Sequence, residues 1–127
     1  MKTLYLAEIA HARSGDKADR ADIGLFAWDA AGYRVLQQAL SCERVAQHFA
    51  HLLGAADAQR VKRYELPNLL ALKFVLEGAL AGGAAHSLRS DNLGKTIAAQ
   101  LLRMQLALPD EDAEAALHGV RVAMERF

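Results

Sequence analysis

The apolar residues of this chain recur with two different periods, and that limits the possible fold more than any other feature. "ADIGLFAWD" (21–29) and "LLALKFVLEG" (69–78) are runs of strand length. By length the second also suits a buried helical segment. The alternation just before it, in "RVKRYEL" (60–66), and its glycine-rich exit (78–87, centred on Gly82-Gly83) favour a strand. Pro67-Asn68 separates the two. "TLYLAEIAHA" (3–12) has no helix cap and reads as a strand, whereas "AAGYRVLQQAL" (30–40) reads as a short helix. Behind Ser41, a natural N-cap, Val45, Phe49 and Leu52 recur at helical spacing, and Gly54 is placed to end that helix. Glu43 sits near its positive end. Ile97, Leu101, Met104 and Leu108 form a second helical stripe capped by Asp91. Ala113, Leu117, Val120 and Met124 form a third, opened by Pro109-Asp110. Asp110, Glu111 and Asp112 at its start and Arg121 and Arg126 towards its end match the helix dipole. About four strands with helices between them predict an α+β two-layer sandwich. One sheet face is then left for a second subunit, or the last helix, to cover.

Composition narrows the class. The chain has 127 residues, which suits one domain, and 53% of them are hydrophobic against 24% charged. Fifteen Lys and Arg balance fifteen Asp and Glu, so no global field draws in nucleic acid or an anionic membrane. Neither is expected as a partner. The single cysteine, Cys42, forms no internal disulfide, which fits a reducing compartment. With no signal-peptide pattern and no run of about 20 apolar residues, the expected location is the cytoplasm.

Several stretches invite a chemical reading and fail it. Gly94-Lys95-Thr96 resembles the end of a phosphate loop, but Arg89 stands where that motif needs its first glycine. A weaker reading keeps the amides of this helix start, with Arg89, as an anion contact. His48 and His51 lie three apart without the further ligands zinc requires, and read as a solvated pair. His118, four after Glu114, reads as a surface pair. Asp16, Asp19 and Asp22 are spaced by three, unlike a calcium loop. No metal and no cofactor are called for.

Residues 13–20 read as a polar loop, long for a hairpin connection, and extra length in a connection often carries function. "HARSGDK" (11–17) gathers charge around one glycine. It is either a charged turn with weak ion pairs or an anion site. In the second case Gly15 turns the chain, Arg13 and Lys17 receive the anion, Ser14 adds a hydrogen bond, and His11 or Asp16 carries a proton. Composition does not choose between them.

"AHARSGDKADRADIGLFA", "RYELPNLLALKFVLEGALAGG" and "SLRSDNLGKT" resemble the small AtuA-like ferredoxin-fold domain family, over roughly residues 4–106. The resemblance implies a ferredoxin-like sheet with helices on one face, residues 1–106 as the domain, and 107–127 as a C-terminal helical extension. In that family Ala18 here replaces a usual glycine, and Asp22 and Lys73 replace usual asparagines. The family is tied to larger AtuA-type proteins of acyclic terpene utilisation, which handle branched acids as CoA thioesters. Three functions follow as expectations. The first is an accessory domain that binds a larger AtuA-type partner, or itself, and helps hold an acyl-CoA or carboxylate ligand. The second is a small independent lyase or hydratase. The third is a homo-oligomer with no ligand. The implied proton carriers are His11, Asp16 and Glu65. The implied ligand contacts are Arg13, Ser14, Gly15, Lys17, Asn68, Gly82, Gly83 and Arg89.

Overall fold

The computed structural model describes residues 1–17, 20–53, 58–78 and 96–126, with the side chains of 16, 17 and 52 outside that description. The chain begins with β1 (Lys2–Tyr5), turns through a 3-10 segment (Leu6–Glu8), and forms β2 (Ala10–Lys17) and β3 (Arg20–Ala27). Three helices follow: α1 (Ala30–Ala39), α2 (Cys42–His48) and α3 (Ala50–Leu53). Then come β4 (Val61–Leu66), a 3-10 turn (Pro67–Leu69) and β5 (Ala71–Leu76). Residues 96–102 are helical (α4), and β6 (Gln105–Leu108) and α5 (Asp110–Glu125) close the chain.

The main sheet is antiparallel with order β2-β3-β5-β4. β3 and β4 run parallel with β5 between them, a split β-α-β unit of the ferredoxin type. The hairpin partner of β3 comes before it in the chain. For this sheet and its helices the order is strand-strand-helix-strand-strand-helix, as the apolar pattern predicts; β1 and β6 form a separate two-stranded sheet beyond the four strands expected. Ala21, Ile23, Leu25 and Ala27 on β3 and Leu72, Phe74 and Leu76 on β5 are buried on one face. Each large one contributes roughly 1.5–3 kcal/mol. α1 packs on β3 and β5, and α2 on β4. α1 is capped by Asp29, whose Oδ1 accepts from Gly32 N at 2.8 Å, and α2 by Ser41, whose Oγ accepts from Arg44 N at 3.1 Å.

Four expectations need correction. Residues 13–20 are not a polar loop: Arg13 to Lys17 continue β2 and pair with β3 through Lys17↔Arg20, so the hairpin connection is short. The stretch 3–12 is not one strand. Tyr5 N donates to Glu8 Oε2 at 2.8 Å, and the resulting 3-10 turn shifts the chain from one sheet into another while burying Leu6 and Ile9. The stripe ending at Leu108 is not one helix. Met104, Leu106 and Leu108 are buried at every second position, and β6 pairs with β1 through Leu4↔Leu106 and Lys2↔Leu108. On α5 Ala113 is buried and Leu117 packs on the core as expected, but Ala116 and Gly119 share that inward face and Met124 is 56% exposed. Small residues win there because α5 lies close against α1. Gly54, Asp91 and all of 78–87 beyond Gly78 lie outside the described residues. Gly78 itself has φ +77, the left-handed exit from β5 that glycine tolerates. Leu70 also takes a left-handed φ of 52, held because its carbonyl accepts from Ala27 N at 2.9 Å.

The α1–α5 contact yields a prediction. A Cβ on Gly119 would overlap the Asp29 carboxylate that caps α1. Gly119→Ala should cost about 1–3 kcal/mol by overpacking, and Asp29→Ala about 1 kcal/mol by loss of the cap. In the Asp29→Ala background, Gly119→Ala should become neutral or stabilise by up to about 1 kcal/mol, the helix preference of alanine over glycine. Urea unfolding of the four proteins measures this coupling, and strict additivity would refute the contact as the cause.

Candidate functional site

Strand parity sorts the candidate residues onto two faces. On the side away from the helices, cross-strand rows run His11–Phe26–Ala71–Leu66, then Arg13–Gly24–Lys73–Tyr64, then Gly15–Asp22–Val75–Lys62. His11, Arg13, Lys62, Tyr64, Leu66 and Lys73 on this face are exposed. His11 stacks on Phe26 with ring centroids 5.2 Å apart and planes 14° from parallel. Trp28 leans against His11 at 4.9 Å and 52°. A Cβ on Gly24 would come within 3.1 Å of the Phe26 ring, so the missing side chain lets that ring lie down on the sheet.

Gly15 is a strand residue here, paired with Asp22, and not the hinge of a turn. The space its side chain would occupy holds Asp22 Oδ1, 3.0 Å from an ideal Cβ. Asp22 Oδ2 also lies 3.8 Å from Lys73 Nζ. The two asparagine positions that are charged in this chain therefore form one diagonal ion pair. At the far side of the face, Glu77 sits 3.0 Å from Lys62 Nζ and holds that amine above its ordinary pKa by hydrogen bonding and charge. A raised amine pKa adds stability that is complete below the ordinary lysine value and is lost only as pH rises through the raised one. It introduces no pH dependence near neutrality.

Two candidates point the other way. Ser14 Oγ accepts a hydrogen bond from Ala98 N at 3.1 Å and so ties β2 to α4 on the helix side. Glu65, paired with Leu72, also faces the helices. Its Oε2 accepts from Gln37 Nε2 at 2.7 Å and lies 3.6 Å from Arg63 Nη2. His11 and Glu65 thus stand on opposite faces of the sheet and do not form one acid–base pair. Asn68 is exposed in the 3-10 turn after β4. Asp16 pairs with Ala21 and Lys17 with Arg20 through the backbone, and their side chains are outside the description. Gly82, Gly83 and Arg89 lie outside the described residues altogether.

The remaining motifs have structural partners. His48 Nε2 lies 2.6 Å from the Gln100 carbonyl and His51 Nε2 3.3 Å from Gln100 Oε1, so the pair joins α2 and α3 to α4. Cys42 is partly buried against the core. An open cleft of about 430 Å³ between α1, β6 and the start of α5, lined in part by Val35, Arg44, Leu106 and Asp112, contains none of the candidate residues. No helix among the described residues is long and apolar enough to cross a membrane.

Sequence reasoning passed over the aromatic side of this face. Phe26 and Trp28 belong to an apolar run whose natural reading is a buried strand. The available signal was alternation: Ile23, Leu25 and Ala27 take the core, which leaves Phe26 and Trp28 on the other side, half-exposed.

The architecture is that of a ferredoxin-like α+β domain with one open sheet face. The family model of the AtuA ferredoxin-like domain matches residues 4–107, and the chain belongs to that family. No curated protein and no solved structure matches the chain at a significant level.

The two faces predict opposite phenotypes. Ser14→Ala should cost about 0.5–1.5 kcal/mol, the worth of one hydrogen bond, with no effect on any ligand of the open face. Arg13→Ala should leave the thermal midpoint within a degree or two and act only on binding. Thermal unfolding beside an anion-binding titration distinguishes them, and a Ser14→Ala protein of unchanged stability that binds less would refute the division.

Proposed function

We propose that this chain is an accessory, ligand-holding domain that works with a larger AtuA-type partner on branched acids carried as CoA thioesters. One observation supports this above all. The strand bearing His11 and Arg13 turns both onto an open sheet face, beside a lip of exposed apolar side chains. Tyr64 is 48%, Leu66 38% and Leu69 62% exposed at the β4 side of that face. Scattered exposed apolar residues need no explanation, but three at one strand end beside a cationic, aromatic surface suit a docking edge. Apart from Tyr33, whose hydroxyl is buried, no polar or charged side chain among the described residues is fully buried. Desolvated, pKa-shifted groups are the usual mark of a self-sufficient catalytic pocket. The separation of His11 from Glu65 also weighs against an independent lyase or hydratase built on that pair.

Co-expression with a larger AtuA-type protein from the same genome tests the reading. The two should co-elute, and Leu69→Asp combined with Tyr64→Ser should weaken the complex at least tenfold while the small chain stays folded. Turnover of a branched acyl-CoA by the small chain alone, abolished in His11→Ala, would overturn the accessory role in favour of an enzyme. A stable self-assembled oligomer that neither binds a partner nor a thioester would favour the purely structural alternative.

A further inference from the structure

Resting on the ligand-holding reading above, we propose that the open sheet face recognises the nucleotide part of a small ligand, with a planar base on Phe26 and His11 and its phosphate between Arg13 and Lys73. Three independent features of the face converge on that chemistry.

The first is a stack of rings on the sheet. Strand side chains normally stand away from the sheet. Phe26 instead lies across Gly24, where a Cβ would sit 3.1 Å from its ring. The His11 ring is stacked against it as an offset pair, centroids 5.2 Å apart and planes 14° from parallel, and Trp28 leans on His11 at 52°. A stepped pair of near-parallel rings suits a further offset-stacked heteroaromatic base, with Trp28 as its tilted neighbour.

The second is local charge. The chain is neutral as a whole. Among the described side chains of this face four are cations, Arg13, Arg20, Lys62 and Lys73, against the anion Asp22, with Glu77 paired to Lys62. Lys62 is occupied by Glu77 at 3.0 Å, and Lys73 only loosely by Asp22 at 3.8 Å. Arg13 makes no hydrogen bond or ion pair among the described residues.

The third is where those cations stand. Arg13 and Lys73 are the two cross-strand neighbours of Gly24, one on β2 and one on β5. A base lying over the Phe26 ring has a guanidinium on one side and an ammonium on the other. Each stands directly opposite Gly24, a spacing of about 5 Å between Cβ positions, so the two long side chains reach from either side a phosphate carried on the ribose of that base. A simple carboxylate would use the cations and waste the rings. An acyl chain would use the rings and leave the cations idle. A base bearing phosphate uses both.

Trp28 is the one tryptophan of the chain, so its fluorescence reports this face alone. Four probes are titrated: ADP, coenzyme A, phosphopantetheine, and a single-stranded oligonucleotide. ADP and coenzyme A should change Trp28 emission and saturate, and phosphopantetheine should bind at least tenfold more weakly than coenzyme A. Arg13→Ala and Phe26→Ala should each weaken ADP binding about tenfold. Because Phe26 is half-buried, its variant is read beside exposed Arg13→Ala, which leaves the core untouched. Failure of ADP to bind overturns the inference, as does ADP binding that neither variant changes. Coenzyme A and phosphopantetheine binding equally well would overturn the nucleotide contact and keep the ligand-holding role. ADP binding with no response to a branched acyl-CoA would support the nucleotide contact and remove the thioester reading. An oligonucleotide binding more than tenfold tighter than ADP would overturn the small-ligand proposal in favour of a nucleic-acid strand.

Discussion

Packing of Ile23 and Leu25 on β3 against Phe74 and the helix layer sets the register on which the rest of the molecule depends. A strand has only two faces, and a slip of one residue exchanges them. Here a slip would drive Asp22 and Phe26 into the core and put Ile23 and Leu25 in water. The burial of these side chains, complete on β3 and β5, therefore fixes more than stability. It also decides that Asp22, Gly24, Phe26 and Trp28 are displayed. The open face is the complement of the core, and neither can change without the other.

This dependence explains why the fold was more legible in the sequence than the site. The runs 21–29 and 69–78 and the alternation of 60–66 carry hydrophobic period directly, and Ser41 announces its helix through a cap that needs no tertiary context. Residues 104–108 were ambiguous because Met104 and Leu108 satisfy both a helical stripe and an alternating strand. Leu106 is the residue that separates the two readings: it belongs only to the period of two, and it is buried. The face of α5 is legible in part, through Ala113 and Leu117, and the rest is hidden for a different reason. Large apolar residues mark a helix face when packing distance is free. When another helix lies close, small residues such as Ala116 and Gly119 take the inside, and Met124 is left in solvent. The proximity of α1 is not written in α5.

The cluster around Gly15 shows the same limit at the site. Charge density and a glycine read as a turn, yet these residues are strand. Glycine here serves close approach, with the Asp22 carboxylate seated where a side chain would be. Once the segment is strand, alternation splits it. Ser14 turns inward to Ala98, and His11 and Arg13 turn outward. Adjacency in sequence, which made "HARSGDK" look like one site, is what separates its members in space.

The Asp22–Lys73 pair gives the face a further property. Two exposed charges at 3.8 Å contribute little to stability. Their effect is on the potential above the sheet. Each charge cancels most of the other's distant field, so Arg13 sets the sign of the surface at the Phe26 ring. The pair is weak and both partners are solvated, so Lys73 can leave Asp22 at small cost. A tighter pair would lock the lysine, and no pair would leave the floor of the face unbalanced. Exposed apolar surface such as Tyr64, Leu66 and Leu69 also invites edge-to-edge and face-to-face association between copies, and like charges on such a face oppose it.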